Sequence, residues 1–563
     1  MNILDTFDEN ILNLIIKLLD DRSKIHFIST CHKTRTFLTN EMCTFKFDDE
    51  VYKYKKIKDL FYLGKFDGIE YETLFKKDIP NNISHLTFRD KFNQSIEGCV
   101  PNTVTHLTFG KNFNQPIGKC IPDNITHLTF GNNFNQSIKG CIPNSVTHLT
   151  FGWRFNQPIE GCIPNNVIYL KFEGDFNQPI KGCILNNVSL SPEKQVREKV
   201  LPSRLTHLTF GYYFNQSIEG CIPNSIIHLT FGWYFNQPIK GCIPNSVTHL
   251  TFGNNFNQSV EGCIPNSVTH LTFGNNFNQS VEGCMPNNMT HLKFGSNFNQ
   301  PIKGYIPDKV THLIFGYKFN QLEEKCIPNS VTHLILGDEF NQSIEGCIPD
   351  NVTHLTFGYE FNQSIIGYIP ASVTHLKFGG NFNQSIKGGI PDNVTHLVFG
   401  NSFNQSIKGC IPNSVTHLTF GYKFNQPIEG CIPNNVTLSP EGQVREKVLS
   451  SRLTHLTFGA SFNQSIEGHI PNSVTHLTLG YDFNQSIKGG IPDNVTHLTF
   501  ESNLNQPIKG CIPNNVTHLT FGYGFYQSIE GCIPDSVIHL SLSESFYEYN
   551  KKFIDEKITI KIY

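Results

Sequence analysis

One aromatic position, repeated every 21 residues, constrains this chain more than any other feature. Phenylalanine stands at Phe92, Phe113, Phe134, Phe155 and Phe176, and the same step resumes from Phe214 to Phe424. It then continues through Phe462, Phe483, Leu504 and Phe525, giving twenty copies. A fixed period of this kind overrides any domain count drawn from a length of 563 residues. Each unit is too small to bury its own apolar side chains, so the units must stack on one another.

The stretch from Ile142 to Gln157 shows the unit. Val146 to Phe151 alternates β-branched and aromatic residues, which predicts a half-buried strand with Leu149 and Phe151 on one face and His148 and Thr150 on the other. Pro143 precedes the strand, where a missing N–H does least harm, and Gly152 with the Asn-rich stretch after it marks a turn. The fold class expected is a β-rich solenoid of stacked parallel strands, one per coil, with a small α-helical N-terminal segment. An apolar content of 38% suffices for a core, whereas charged residues reach only 16%, well below the roughly 25% of an average soluble domain. The surface is therefore built largely from Asn, Ser, Thr, Gln and His. A net charge of −3 gives no global field toward nucleic acid or anionic lipid, so neither is an expected partner.

Residues such as Phe155-Asn-Gln-Pro-Ile159 and Ile142-Pro-Asn144 resemble the FNIP repeat, a leucine-rich-repeat-like family known chiefly from amoebal and giant-virus proteins. The resemblance runs from about Ile79 to Leu540. It implies an interaction scaffold and, if the source is a giant virus, action in the host cytoplasm. Two excursions, near 190–204 and 438–452, each lengthen the spacing between neighbouring landmarks from 21 to 38. Ser191-Pro and Ser439-Pro are suited to open a short helix in each. The near-identity of the two points to duplication of a block of about eleven repeats.

The expected organisation is a helical segment over 1–45, a connector or cap over 46–78, the repeats over 79–540 and a closing cap over 541–563. In the first segment, Ile11, Leu12, Ile15, Ile16, Leu18 and Leu19 follow helical spacing, and Ile25, Phe27, Ile28 and Cys31 suggest a second helix. Phe37 and Leu38 fall in a third. From Phe7-Asp-Glu-Asn-Ile11-Leu12 through Leu19 to Ile28-Ser-Thr-Cys-His-Lys33 this segment resembles an F-box, the module that docks on a Skp1-like adaptor of cullin-type ubiquitin ligases. The resemblance implies adaptor binding by Phe7, Ile11, Leu12, Ile15, Leu19, Ile25 and Ile28. It departs from the pattern in carrying Phe7-Asp8 where Leu-Pro is usual, and in lacking the late Trp near Thr34 to Thr36. The competing reading makes these helices only a cap on an interaction rod.

No positively charged leader precedes the short apolar stretch from Ile11 to Leu19, which Asn13 and Lys17 interrupt, so neither a signal peptide nor a membrane span is expected. Seventeen cysteines, an odd number, fit a reduced, intracellular compartment. Recurrent Asn-Gln-Ser and Asn-Val-Thr sequons point the same way, since glycans there would burden the coils.

Twenty of the 23 histidines occupy one repeat position, from His85 to His539, broken only by Tyr169. A uniform column offers no four-ligand convergence, so no metal site is expected; acid should instead destabilise the stack. Fifteen of the 17 cysteines share the position of Cys141, which elsewhere accepts Tyr305, Tyr368, Gly389, His469 or Gly490. That tolerance fits a small hydrophobe rather than a disulfide or metal framework. No differentiated catalytic constellation or phosphate-binding glycine pattern stands apart from the repeat, so neither an enzyme nor a cofactor is expected. A Thr-bearing sheet could also bind a periodic ligand such as a polysaccharide or ice, but the want of a secretion signal argues against it.

Variation between copies concentrates in the two residues after the strand-ending Gly. These read Asn132-Asn133, Trp153-Arg154, Tyr212-Tyr213, Trp233-Tyr234, Tyr317-Lys318, Asp338-Glu339 and Tyr422-Lys423. Trp, Tyr and Arg dominate binding hot spots, so Trp153, Arg154, Tyr212, Tyr213, Trp233, Tyr234, Tyr317 and Tyr422 are the candidates for holding an unknown target protein.

Overall fold

A computed structural model describes residues 9–29, 43–60, 62–180, 200–429, 452–501 and 504–563. Phe7, the third expected helix at Phe37 and Leu38, and most of both excursions lie outside the described residues. The chain divides into two compact units, Met1–Gln258 and Ser259–Tyr563.

In the first unit the repeated strands run from His85–Phe88 to His249–Thr251, each pairing in parallel with the next. Register is uniform: His106 faces His127, Leu107 faces Leu128 and Thr108 faces Thr129. Across the first excursion the register holds, with Tyr169 opposite His207. The second unit repeats this from His270–Thr272 to His539–Leu542, and His417 sits opposite His455 across the second excursion.

The strands are shorter than the six residues expected. His148–Phe151 spans four, and most others span the three residues His-Leu-Thr. The cause is visible in the backbone. Val146 N–H closes a turn onto Pro143 O (3.1 Å), so it is unavailable to the ladder. Thr147 N–H and His148 N–H both donate to Thr126 O, at 2.9 and 3.0 Å. Regular pairing therefore starts only at the histidine.

Packing follows the period. Leu149, Phe151 and Phe155 are all fully buried, and Phe151 stacks on Phe155 at 3.9 Å between centroids and on Phe172 of the next coil at 5.4 Å. Burying a side chain of this size contributes about 1.5–3 kcal/mol, and every coil repeats it. The strand-ending glycines permit the stacking. A Cβ on Gly253 would fall 1.7 Å from Gly232 O, closer than any side chain can stand. Asparagine completes the coil: Asn135 Oδ1 accepts from Asn156 N–H (3.0 Å) and from Gln157 Nε2 (2.9 Å) of the next coil. Asn362 does the same for Asn383 in the second unit.

The parallel stack begins upstream of the repeat. Strand β1 (Phe47–Lys53) pairs with strand β2 (Phe66–Thr73), and Glu70 of β2 lies opposite His85. At the far end, the helix Glu544–Asn550 buries Phe546 and Asn550, whose side chain accepts from Ile529 N–H. Thr559–Ile562 then adds a parallel strand to His539–Leu542.

Candidate functional surfaces

Helices α1 (Glu9–Lys17) and α2 (Asp21–Ser29) carry the candidate adaptor-binding residues. Leu12 and Ile16, one turn apart, are fully buried, as is Ile28 nearly so. Ile15 and Leu19 are half-buried, while Ile11 and Ile25 are exposed. The most exposed apolar side chains on α1 and the turn after it are Leu14 (66%) and Leu18 (81%). A wide apolar stripe thus splits into a face that packs and a face that does not. Leu12 and Ile28 hold the segment to the protein and are not free to meet a partner; Leu14 is a candidate that the stripe alone did not single out.

Helix α2 is clipped to β1 by a charge cluster in which Asp21 and Lys24 are buried and Asp48 is exposed. The Asp21 carboxylate accepts from the N–H groups of Asp48 (3.2 Å), Asp49 (3.0 Å) and Glu50 (3.2 Å) and from Tyr52 Oη (3.1 Å). Lys24 Nζ donates to Asp21 (3.0 Å), Asp48 (2.9 Å) and Lys46 O (2.8 Å). Burial works to lower the Lys24 pKa, but the bonds from Asp48 and Asp21 outweigh it and leave the ammonium favoured. Lys24 in turn holds Asp48 below the usual carboxylate range. On α1, Asn13 Nδ2 donates to Thr44 Oγ1 (2.7 Å) and Asn13 Oδ1 accepts from Thr44 N–H (3.0 Å). Asp21, Asp48 and Asp49 form the one acidic group among the described residues close enough to share a cation. The backbone and Lys24 already satisfy that group, so it reads as a joint rather than a metal centre.

The turn candidates separate into a cluster and scattered members. In the first unit Trp153 lies 5.5 Å from Tyr212, Tyr212 stacks on Trp233 at 5.4 Å, and Tyr213 stacks on Tyr234 at 5.2 Å. Trp153 reaches Tyr212 across Gly174, where a Cβ would fall 2.2 Å from Trp153 O and 2.7 Å from the indole. Arg154 is exposed beside this ladder. A groove lined by Trp153, Lys171, Glu173, Tyr212, Trp233 and Asn254 runs alongside, with Lys171 and Glu173 paired at 3.1 Å. In the second unit Tyr317 and Tyr422 are well exposed, between acidic and polar turns that include Asp338 and Glu339. Tyr359 and Tyr481 occupy the same repeat position, are equally exposed, and follow from the same rule.

The histidines form stacked columns. His127 and His148 stand 4.1 Å apart at 11°, and Thr147 Oγ1 lies 2.9 Å from His148 Nδ1. Burial, and then neighbouring imidazoles, push His106, His127 and His476 down to about 4. Among the described residues the cysteines are free thiols, buried or half-buried. Burial pushes Cys326 up to about 11, which makes it a poor nucleophile at neutral pH.

These features define a class: a leucine-rich-repeat-like parallel β-solenoid whose repeated side chains build the stack and whose unrepeated ones face outward. The chain belongs to the FNIP-repeat family, whose model matches fourteen segments, beginning at 72–112 and ending at 505–545. A solved relative described as a circular leucine-rich-repeat protein, CroV588, is 39% identical, with a TM-score of 0.59, over 89% of this chain and 85% of that one. Putative F-box protein L168 of Acanthamoeba polyphaga mimivirus is 36% identical over 97 residues, which are 17% of this chain and 44% of that protein. Putative F-box protein L166 of the same virus is 33% identical over 98 residues, 36% of its length. The chain thus spans less than half the length of these two relatives. Among the described residues no helix is long and apolar enough to cross a membrane.

Proposed function

We propose that this chain is a binding protein without catalytic activity, the target-recognition subunit of a Skp1-cullin-type ubiquitin ligase inside the host cell. One observation carries the adaptor half: Leu14 on α1 and Leu18 on the turn after it stand 66% and 81% exposed, while the other face of the helix is locked to the protein. Exposed apolar side chains on a rigid base are what an adaptor interface needs. The F-box naming of the two mimivirus relatives supports the same reading. The target half rests on the Trp153–Tyr234 ladder, a cluster of residue types that anchor interfaces.

The test is co-purification of the tagged full chain from a eukaryotic host. The expected result is recovery of a Skp1-like adaptor together with a cullin. A full-length, folded chain that never retains the adaptor would contradict it. The Asp21–Lys24 joint favours a second reading, in which α1 and α2 only cap the stack of an interaction rod. That reading expects no adaptor and a loss of stability when the helices are removed.

A further inference from the structure

The sheet face of the second unit carries a run of half-buried imidazoles with one defined chemistry. His312, His333, His354, His375, His396 and His417 stack at 4.1–4.2 Å between centroids and 11–13° between planes. Each Nδ1 lies 2.9–3.0 Å from the hydroxyl of the preceding threonine. Where that hydroxyl proton points decides which ring nitrogen carries its own. Thr332 Oγ1 has two acceptors in reach: His333 Nδ1 at 2.9 Å and Thr311 O at 3.2 Å. Thr311 O already accepts Thr332 N–H at 2.9 Å and His333 N–H at 3.0 Å, which fills both lone pairs of the carbonyl. The hydroxyl therefore donates to Nδ1, Nδ1 is the acceptor, and the proton sits on Nε2. The same three contacts recur at Thr353 and Thr374, so the assignment repeats down the run.

Stacking covers the ring faces and threonine covers Nδ1, so the edge that remains bears Nε2–H. Among the described residues Nε2 makes no hydrogen bond to the protein in these six. The face is thus a line of donors at rung spacing. Its charge is one-sided: from Thr290 to Thr419 the His column and the columns on either side of it on this face contain no Asp or Glu, while Lys293 and Lys377 stand beside the imidazoles. Lys377 is exposed, as is Lys293. Those lysines lie between the His column and the turns that hold Asp338, Glu339 and Glu360.

We infer that this face binds an extended acidic segment of a protein, its carboxylates accepting from successive Nε2–H groups. The inference rests on the reading of the stack as a target-holding scaffold and assigns the chemistry of what is held. Nucleic acid fits less well, because the face lacks the Lys/Arg cluster and exposed stacking aromatics that single strands use. An extended chain rises ~3.3 Å per residue against a rung spacing of ~4.8 Å, so about eight residues reach along six rungs.

The probe is a fluorescein-labelled Glu-rich peptide of that length, titrated into the full chain by fluorescence polarisation at about pH 7.5. Saturable binding is expected, weakened about tenfold or more in a variant with His333, His354, His375 and His396 all replaced by Phe, which keeps the ring stack and removes the donors. Binding undiminished in that variant, or binding of a sulfated oligosaccharide or an oligonucleotide with none of the peptide, overturns the proposal. Should the variant fail to fold, nitrogen NMR of the unaltered histidines decides: protonated Nε2 supports it and protonated Nδ1 overturns it. Adaptor co-purification depends on Leu14 and Leu18, so failure here is distinguishable from failure of the adaptor reading.

Discussion

The coils and the N-terminal helices dispose of their apolar residues in opposite ways. In a coil such as that of Phe361, the inward Leu355, Phe357 and Phe361 are at most 2% exposed, and the asparagine column closes on itself through Asn362. Helix α1 and its following turn bury Leu12 and Ile16 but leave Leu14 and Leu18 outside. A repeated residue must serve every copy alike, so it builds the stack and can offer a partner only a uniform edge, as the histidines do; an unrepeated one can be shaped for a particular partner. The difference teaches where to look for function in a chain of copies.

The coil side of this comparison breaks most easily at its aromatic column. Phe361→Ala removes a fully buried ring and should cost about 3–5 kcal/mol, read by chemical denaturation. The joint between the two regions comes next. Asp21→Ala takes from Lys24 its one buried counter-charge and leaves the N–H groups of Asp48, Asp49 and Glu50 without their acceptor, and should cost about 3–5 kcal/mol. Hydrogen exchange should show the loss confined to Glu9–Ser29 and β1, with the repeat strands still protected.

Acid acts on the coils through their histidines. Folded pKa values near 4 lie below the ordinary 6.5, so the unfolded chain takes up protons first as pH falls. Stability is complete above pH 6.5 and declines between 6.5 and about 4, so the Tm should drop from pH 7 to pH 5. An unchanged Tm would show that the column does not resist protonation. A smaller effect is expected at Tyr212→Ala, which removes the ring that Trp153 and Trp233 lie against. Tryptophan fluorescence should shift while the fold persists.

Much of the fold was legible in the sequence, because a 21-residue period with alternating Leu149 and Phe151 admits few other solutions. Strand length was not, since it depends on Val146 N–H turning back to Pro143 O, a contact no pattern announces. Strands β1 and β2 were not singled out within the connector or cap expected over 46–78, because Asp48, Asp49 and Glu50 break any apolar alternation; their backbone N–H groups donate to Asp21, and β1 pairs with β2. The turn positions were readable as variable, but not that Trp153 would bridge Gly174 to reach Tyr212. On α1 the stripe was too wide to show which residues pack, and only the position of β1 and its neighbours separates Leu12 from Leu14.

The helix side of the comparison is tested most directly by titrating a purified Skp1-like adaptor into the full chain and into a Leu14→Asp, Leu18→Asp variant. Both side chains are exposed, so the variant should match the parent in stability to within about 0.5 kcal/mol. The result expected is saturable binding by the parent and loss of at least about tenfold in the variant. Equal binding by the two, or none by the parent, would contradict the claim that the unrepeated face of the helices is the docking surface.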